Sequence, residues 1–245
     1  MSPVISLKKI SKTFTEGEHH IPALSDITID IHAGEFFIFV GPSGCGKSTL
    51  LRIMSGLEKL YEGEVLLGNG ITQKDMNFVF QQFAIFPWLT VEENIGFGLL
   101  ARRTGEREKR EIVHNELLRF GLEKFKHAYP RDLSGGMKQR VGIARAFATS
   151  PRVLFMDEPF SELDSFTAEE LRKELLELWR ERQPTIIMVT HIVEEAIELA
   201  DRIAVMTPRP GRIEAIFENM LPRPRKERSE EFYHLEDKIT KVIRP

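Results

Sequence analysis

The stretch Gly41-Pro42-Ser43-Gly44-Cys45-Gly46-Lys47-Ser48-Thr49 fits the pattern G-x-x-x-x-G-K-[ST] and follows an apolar run, Phe36 to Val40. That run reads as a buried strand, and Leu50, Leu51, Ile53 and Met54 behind the motif read as a helix. Glycine at 41, 44 and 46 lets the chain turn tightly, so that several N–H groups point inward where the helix presents its positive end. Such a turn cradles phosphate. Lys47 is placed to bridge the β- and γ-phosphates of a nucleoside triphosphate, and the Ser48 hydroxyl to help hold Mg²⁺. Cys45 sits among these amides and has two readings, a small residue that simply fits the turn or a thiol whose pKa the amides lower and whose sulfur is reactive.

Working outward from this loop, residues up to about Val40 alternate polar and apolar (Ile5, Leu7, Ile10, then Leu24, Ile27, Ile29, Ile31). Alternation of this kind predicts antiparallel strands with one wet face. Further strands are expected at Gly63 to Leu67 and Asn77 to Phe80, and the pattern turns helical from about Thr90 to Gln139. Val153 to Met156 and Thr185 to Thr190 are almost wholly apolar, as strands buried on both faces of a parallel sheet are. Between them a helix is expected, with Thr167 and Glu170 as its capping box and Leu171, Leu175 and Leu178 on one face, ended by Pro184. Ile203 to Met206 suits one more strand. Pro208, Pro210, Pro222 and Pro224 then predict a poorly regular segment, and Ser229 to Ile243 a terminal helix with Phe232, Leu235, Ile239 and Val242 facing the body. The fold class read from this is α/β, with a mostly parallel sheet, flanking helices and a β-rich layer before the phosphate loop.

Two other segments carry chemistry. Val153-Leu154-Phe155-Met156-Asp157-Glu158 is an apolar strand ending in two carboxylates, which puts charge at the carboxyl edge of the sheet where ligands bind in such folds. Asp157 suits Mg²⁺, and Glu158 can orient or deprotonate a water attacking the γ-phosphorus. Leu133-Ser134-Gly135-Gly136-Met137-Lys138-Gln139-Arg140 repeats the logic of the phosphate loop, with a hydroxyl and two residues without side chains at a helix start. It is a second candidate anion site.

The octet Leu133 to Arg140 resembles the signature of ATP-binding cassette (ABC) ATPases, and the resemblance extends over nearly the whole chain. It implies a P-loop ATPase core over 1–245 with an inserted helical subdomain at about 88–140 and a C-terminal tail and helix at about 221–245. By the same resemblance, Phe14 stacks on adenine, Gln81 touches the Mg²⁺ and the attacking water, and Glu158 is the catalytic carboxylate. Asp164 communicates across a dimer, or else is simply a helix cap, and His191 contacts the γ-phosphate. Two residues depart from the family's usual choice, Glu162 where Ala is frequent and Ile192 where Asp is frequent. In this family the signature of one subunit, here Ser134 to Gly136, faces the phosphate loop of another. The expected assembly is therefore a head-to-tail homodimer with ATP and Mg²⁺ at the interface. The stretches Met206 to Ile213, Leu221 to Arg225 and Phe86 to Thr90 resemble ATPases of nitrate, sulfonate and taurine importers. They imply integral-membrane permease subunits as partners and, indirectly, an external substrate-binding protein; the aromatic segment Gln81 to Trp88 is the expected permease groove, or else a second hydrophobic core.

Composition narrows the remaining choices. The 245 residues are 42% hydrophobic and 29% charged, with a net charge of −3, so there is no overall basic excess and nucleic acid is disfavoured as a partner. One cysteine permits no intramolecular disulfide, and no apolar run approaches the roughly 20 residues of a membrane span. The expected location is the cytoplasmic face of the cell membrane, held there by a partner. A soluble ABC ATPase acting on nucleic acid, ribosomes or protein assembly is the rival reading; such proteins usually carry two cassettes or a long coiled-coil insertion, and the sequence has neither.

Overall fold

The structure is a computed structural model that describes residues 3–17, 19–68, 70–225, 227 and 229–243, so Met1 and Ser2 and parts of the 221–245 tail lie outside the described residues. In chain order the elements are β1 (Pro3–Glu16), β2 (His19–His32), β3 (Phe36–Val40), α1 (Lys47–Met54), β4 (Glu62–Leu67), β5 (Met76–Val79), α2 (Val91–Ala101) and α3 (Glu106–Arg119). There follow α4 (Gly135–Ala148), β6 (Val153–Asp157), α5 (Ser165–Arg182), β7 (Thr185–Thr190), α6 (Val193–Leu199), β8 (Arg202–Met206), β9 (Ile213–Glu218) and α7 (Glu230–Ile243).

Among the described residues the strands form two sheets. The first, β2-β1-β4, is antiparallel; the second has the order β5-β6-β7-β3-β8-β9 and is parallel except where β9 runs against β8. The fold is therefore α/β with an antiparallel N-terminal layer.

Strands β3, β6 and β7 are buried along their whole length, because both faces of the central sheet are covered. Successive side chains of one strand feed different layers. Phe36, Ile38 and Val40 pack with Leu154, Met156, Ile186 and Met188 against helices α4 to α7, while Phe37 and Phe39 pack with Phe155, Ile187 and Val189 against α1 and the antiparallel sheet. The aromatic rings of Phe37 and Phe39 lie 4.9 Å apart within this second layer. Leu171, Leu175 and Leu178 form the buried face of α5, and Phe232 and Ile239 that of α7, with Leu235 and Val242 packed partly against it.

Two expectations fail. Helix α5 starts at Ser165 and its cap is Asp164, whose Oδ1 accepts the Thr167 N–H at 3.0 Å; Thr167 lies inside the helix and cannot begin it. The proline-rich stretch after Met206 contains a real strand, β9, whose Ile213 and Phe217 are partly buried in alternation with exposed Glu214 and Ile216. The prolines confine themselves to the loops on either side of it, where no ladder hydrogen bond is lost.

Candidate functional site

Parallel strands β6, β7 and β3 are consecutive in the sheet and end at the same edge, so the segments leaving their carboxyl ends converge. The loop after β3 is 41–46. Gly46 caps α1 with φ of 98° and ψ of 7°, a left-handed conformation costly for any residue with a Cβ. A Cβ there would also stand 2.7 Å from Leu24 Cδ2 and 2.9 Å from the Ala23 carbonyl, so β2 walls the loop from behind. Lys47 is buried and donates from Nζ to the carbonyls of Gly41 at 2.8 Å and Pro42 at 3.1 Å, folding its ammonium back over the cradle. Pro42, Ser43, Gly44, Ser48 and Thr49 complete the loop and the first turn of the helix.

The other chain ends supply carboxylates and an imidazole. Ser48 Oγ donates to Asp157 Oδ1 at 2.7 Å, which brings together the two oxygens proposed from sequence for Mg²⁺. Burial pushes the Asp157 carboxyl above the ordinary aspartate range, against the opposing pull of the Ser48 hydrogen bond. Glu158, with φ of 43°, donates its N–H to the Val189 carbonyl at 3.0 Å, tying the end of β6 to β7. Its Oε1 lies 3.8 Å from Lys47 Nζ and its Oε2 2.8 Å from His191 Nδ1. The site thus gathers Lys47, Ser48, Asp157, Glu158 and His191 into one cluster. Gln81 stands two residues beyond the end of β5, whose last residue, Val79, pairs with Met156 next to Asp157 and Glu158; among the described residues no hydrogen bond or ion pair joins it to that cluster. Phe14 is 41% exposed on β1, under the Lys12 ammonium at 4.7 Å, and pairs with Ile21 three residues from Leu24 on the wall of the phosphate loop.

Cys45 takes the first of its two readings, a small residue that fits, and not that of a reactive thiol. It is 1% exposed inside the layer formed with β1, β2 and α1, and desolvation raises its pKa above that of a free thiol, outweighing Lys47 and the loop amides. The loop folds so that the sulfur faces the core. Cys45 is a packing residue on its side chain and a candidate phosphate ligand only on its backbone.

The second cradle lies elsewhere. Ser134 caps α4, its Oγ accepting the Met137 N–H at 3.3 Å. A Cβ on Gly136 would meet Thr167 Cγ2 at 2.5 Å, so glycine is needed for the start of α4 to approach the start of α5. Asp164, whose carboxylate takes both the N–H and the hydroxyl of Thr167, stands at that junction. Among the described residues no hydrogen bond or ion pair joins Ser134–Gly136 to 41–49 of the same chain. Ile192 cannot cap α6 with its side chain as Asp would; its N–H instead donates to Thr190 Oγ1 at 3.1 Å.

Sequence reasoning overlooked Arg209 and Gly211. The turn between β8 and β9 lies against the phosphate loop, with Arg209 Nε donating to the Gly44 carbonyl at 3.0 Å. A Cβ on Gly211 would overlap the Cys45 carbonyl at 2.0 Å. Gly211 directly after a proline was the available signal for a close backbone approach.

A sequence profile described as "ABC transporter" matches residues 24–161. The chain is 43% identical over 239 residues to an aliphatic sulfonates import ATP-binding protein, SsuB, of Bacillus cereus, covering 96% of this chain and 94% of the relative. It is 42% identical over 247 residues to an uncharacterized ABC transporter ATP-binding protein of Methanocaldococcus jannaschii, covering 100% of this chain and 92% of the relative. Among solved structures, a dimeric ATP-binding cassette in a post-hydrolysis state bound to ADP and Pi superposes with a TM-score of 0.77 at 35% identity, covering 91% of this chain and 99% of that one. The fold, the phosphate loop and these relatives agree: the chain belongs to the ABC transporter family, as an ATP-hydrolysing cassette.

Proposed function

We propose that the protein is the ATPase subunit of an ABC importer for a small anion of the sulfonate, taurine or nitrate kind, working as a head-to-tail homodimer. The observation that carries the reading is Glu158, held between Lys47 and His191 at the carboxyl edge of the sheet. The loop 41–46, with its helix end and no room for a Cβ at Gly46, fits a triphosphate; the Ser48–Asp157 pair, all oxygen, fits Mg²⁺. Bound Mg²⁺ would offset phosphate charge and so favour in-line displacement.

The chain's own groups then divide the work. Lys47 exchanges the carbonyls of Gly41 and Pro42 for phosphate oxygens. Glu158 accepts the proton of the attacking water while its contact with His191 fixes the carboxylate's direction, and His191 is left to steady the γ-phosphate. Gln81 orients the water from the end of β5, and Phe14 offers an exposed ring to adenine. Ser134, Gly135, Gly136 and Asp164 serve the site of the second copy, because they stand apart from 41–49 in their own chain. Closure of the dimer on ATP and its opening after hydrolysis is a ligand-driven shift between two states.

Coupling to transport is assigned to a permease seated at the aromatic segment. Phe86 is flanked by Phe97 at 4.4 Å and Trp88 at 5.6 Å under the Arg145 guanidinium, and Trp88 stays 70% exposed, as an anchor for a partner rather than a core residue. No helix among the described residues is long and apolar enough to cross a membrane, so we assign the chain to the cytoplasmic face through that permease, with an external binding protein acting indirectly. The test is ATPase activity of the protein and of its Glu158→Gln variant, together with co-purification of a hydrophobic permease. An active parent, an inactive variant and a bound permease are expected; a parent that hydrolyses ATP but never retains a permease would contradict the importer reading.

A further inference from the structure

We propose that Gln139 is a positioning residue for the Gln81 loop, with its buried amide serving as the latch that takes the backbone of Phe83 and Ala84 when the nucleotide-bound form assembles. This inference rests on the ATPase reading above and deepens it, since nothing in that reading gives Gln139 a task.

Three observations meet here. First, Gln139 is 0% exposed, and neither its Nε2 nor its Oε1 has a hydrogen-bond partner. A glutamine amide can donate two hydrogen bonds and accept two, and a buried polar group left without any calls for an explanation. Second, Gly135, Gln139 and Gly142 fall on one face of α4 by their spacing of four and three residues. That face meets the Gln81 loop at both ends: a Cβ on Gly135 would stand 3.8 Å from Phe83 Cζ, and one on Gly142 3.2 Å from the Phe83 carbonyl oxygen. Gln139 lies between these two contacts. Third, the facing backbone is strained. Phe83 has φ of 40° and Ala84 φ of 45°, two successive side-chain-bearing residues in the left-handed region. The Ala84 N–H closes a tight turn on the Gln82 carbonyl.

The strained turn packs on the face of α4 that carries the unsatisfied amide, and one movement relieves both. Rotation of 83 and 84 into the right-handed region redirects the Phe83 carbonyl and frees the Ala84 N–H from Gln82. Gln139 offers a donor for the first and an acceptor for the second. Arg145, on the same helix, holds the Ala84 carbonyl at 2.9 Å and keeps the loop on α4 while its neighbours turn. Gln81 is two residues away, so the turn sets where its amide stands. Helix α4 also begins at Ser134, the second anion cradle, so the latch connects that cradle to Gln81 through one rigid element.

The experiment uses Gln139→Leu, which keeps the shape and removes both polar ends. Its nucleotide-free Tm should equal or exceed that of the parent, because no hydrogen bond of the resting fold is lost. Its kcat for ATP should fall by about tenfold or more while KM changes less than about twofold, the pattern of an interaction made after binding. Hydrogen exchange of a peptide spanning 80–90, in a Glu158→Gln background, should slow on adding Mg-ATP, and this slowing should vanish when Gln139→Leu is combined with it. Parent-like kcat and parent-like protection in Gln139→Leu overturn the latch, and so does a lowered nucleotide-free Tm, which would mean the amide already serves the resting fold. Turnover by the parent reports separately on the ATPase reading: a parent without activity overturns that reading, whereas an active parent matched by Gln139→Leu overturns the latch alone.

Discussion

Glu158 and His191 are joined by a 2.8 Å contact between Oε2 and Nδ1, although 33 residues separate them and they leave different strands. Strands β6 and β7 are adjacent and in register, Asp157 opposite Val189, so the two side chains emerge together as the strands end. The general base and the phosphate-facing imidazole of the proposed mechanism are thus aligned by sheet pairing rather than by any loop.

Replacing that base tests the arrangement first. Glu158→Gln should bind ATP as the parent does and lose on the order of 10²- to 10⁴-fold in turnover, the scale of a missing general base. Equilibrium binding and steady-state hydrolysis measured on the same preparation check it; undiminished turnover removes Glu158 from the mechanism.

Asp157 makes a prediction about pH. Its folded-state pKa is raised by burial, so ionisation costs the fold nothing below the ordinary aspartate range, and the cost grows as pH rises through the ordinary value and levels off above the raised one. Asp157→Asn keeps an oxygen for the Ser48 hydroxyl and removes the charge. Without nucleotide its Tm at pH 7 should exceed that of the parent, and the gain should shrink at a pH near the ordinary aspartate value; a Tm below the parent's at pH 7 would contradict this. With Mg-ATP the variant should gain less in Tm than the parent.

Cys45 should react slowly. Its thiol is enclosed and its pKa raised, so a maleimide at neutral pH should modify the folded protein far more slowly than the same protein in urea. Equal rates in the two states would place the sulfur at the surface.

Trp88 separates folding from coupling. Its exposure predicts that Trp88→Asp changes stability by no more than about 0.5 kcal/mol, as surface substitutions do, and leaves ATP binding intact. Transport reconstituted with the permease should fall while hydrolysis continues. Failure to fold would return the segment to the hydrophobic core.

Legibility from sequence followed how local each cause was. The phosphate loop, the carboxylates at the end of β6 and the buried strands were readable because motif and apolar run sit in one short window. Strand β9 was obscured by prolines that belong to its flanking turns, and its pairing with β8 depends on a hairpin that propensity alone does not reveal. The cap of α5 was misplaced because Thr167 with Glu170 and Asp164 with Thr167 have the same spacing, and only the fold decides between them. The two readings of Cys45 could not be separated because the motif fixes the backbone of the loop and says nothing of which way a small side chain turns. Gln139 was invisible as a site: burial without a partner is a property of packed helices, and a polar residue in a signature reads as surface until α4 meets the Gln81 loop.

The central claim is that the cradle at 41–49 and the cradle at Ser134–Gly136 close on one ATP only across two copies of the chain. Sedimentation of Glu158→Gln with and without Mg-ATP measures this directly. The account predicts a monomer alone and a dimer with Mg-ATP, reverting when Lys47 or Ser134 is also replaced; a protein that binds Mg-ATP yet stays monomeric at micromolar concentration would contradict it.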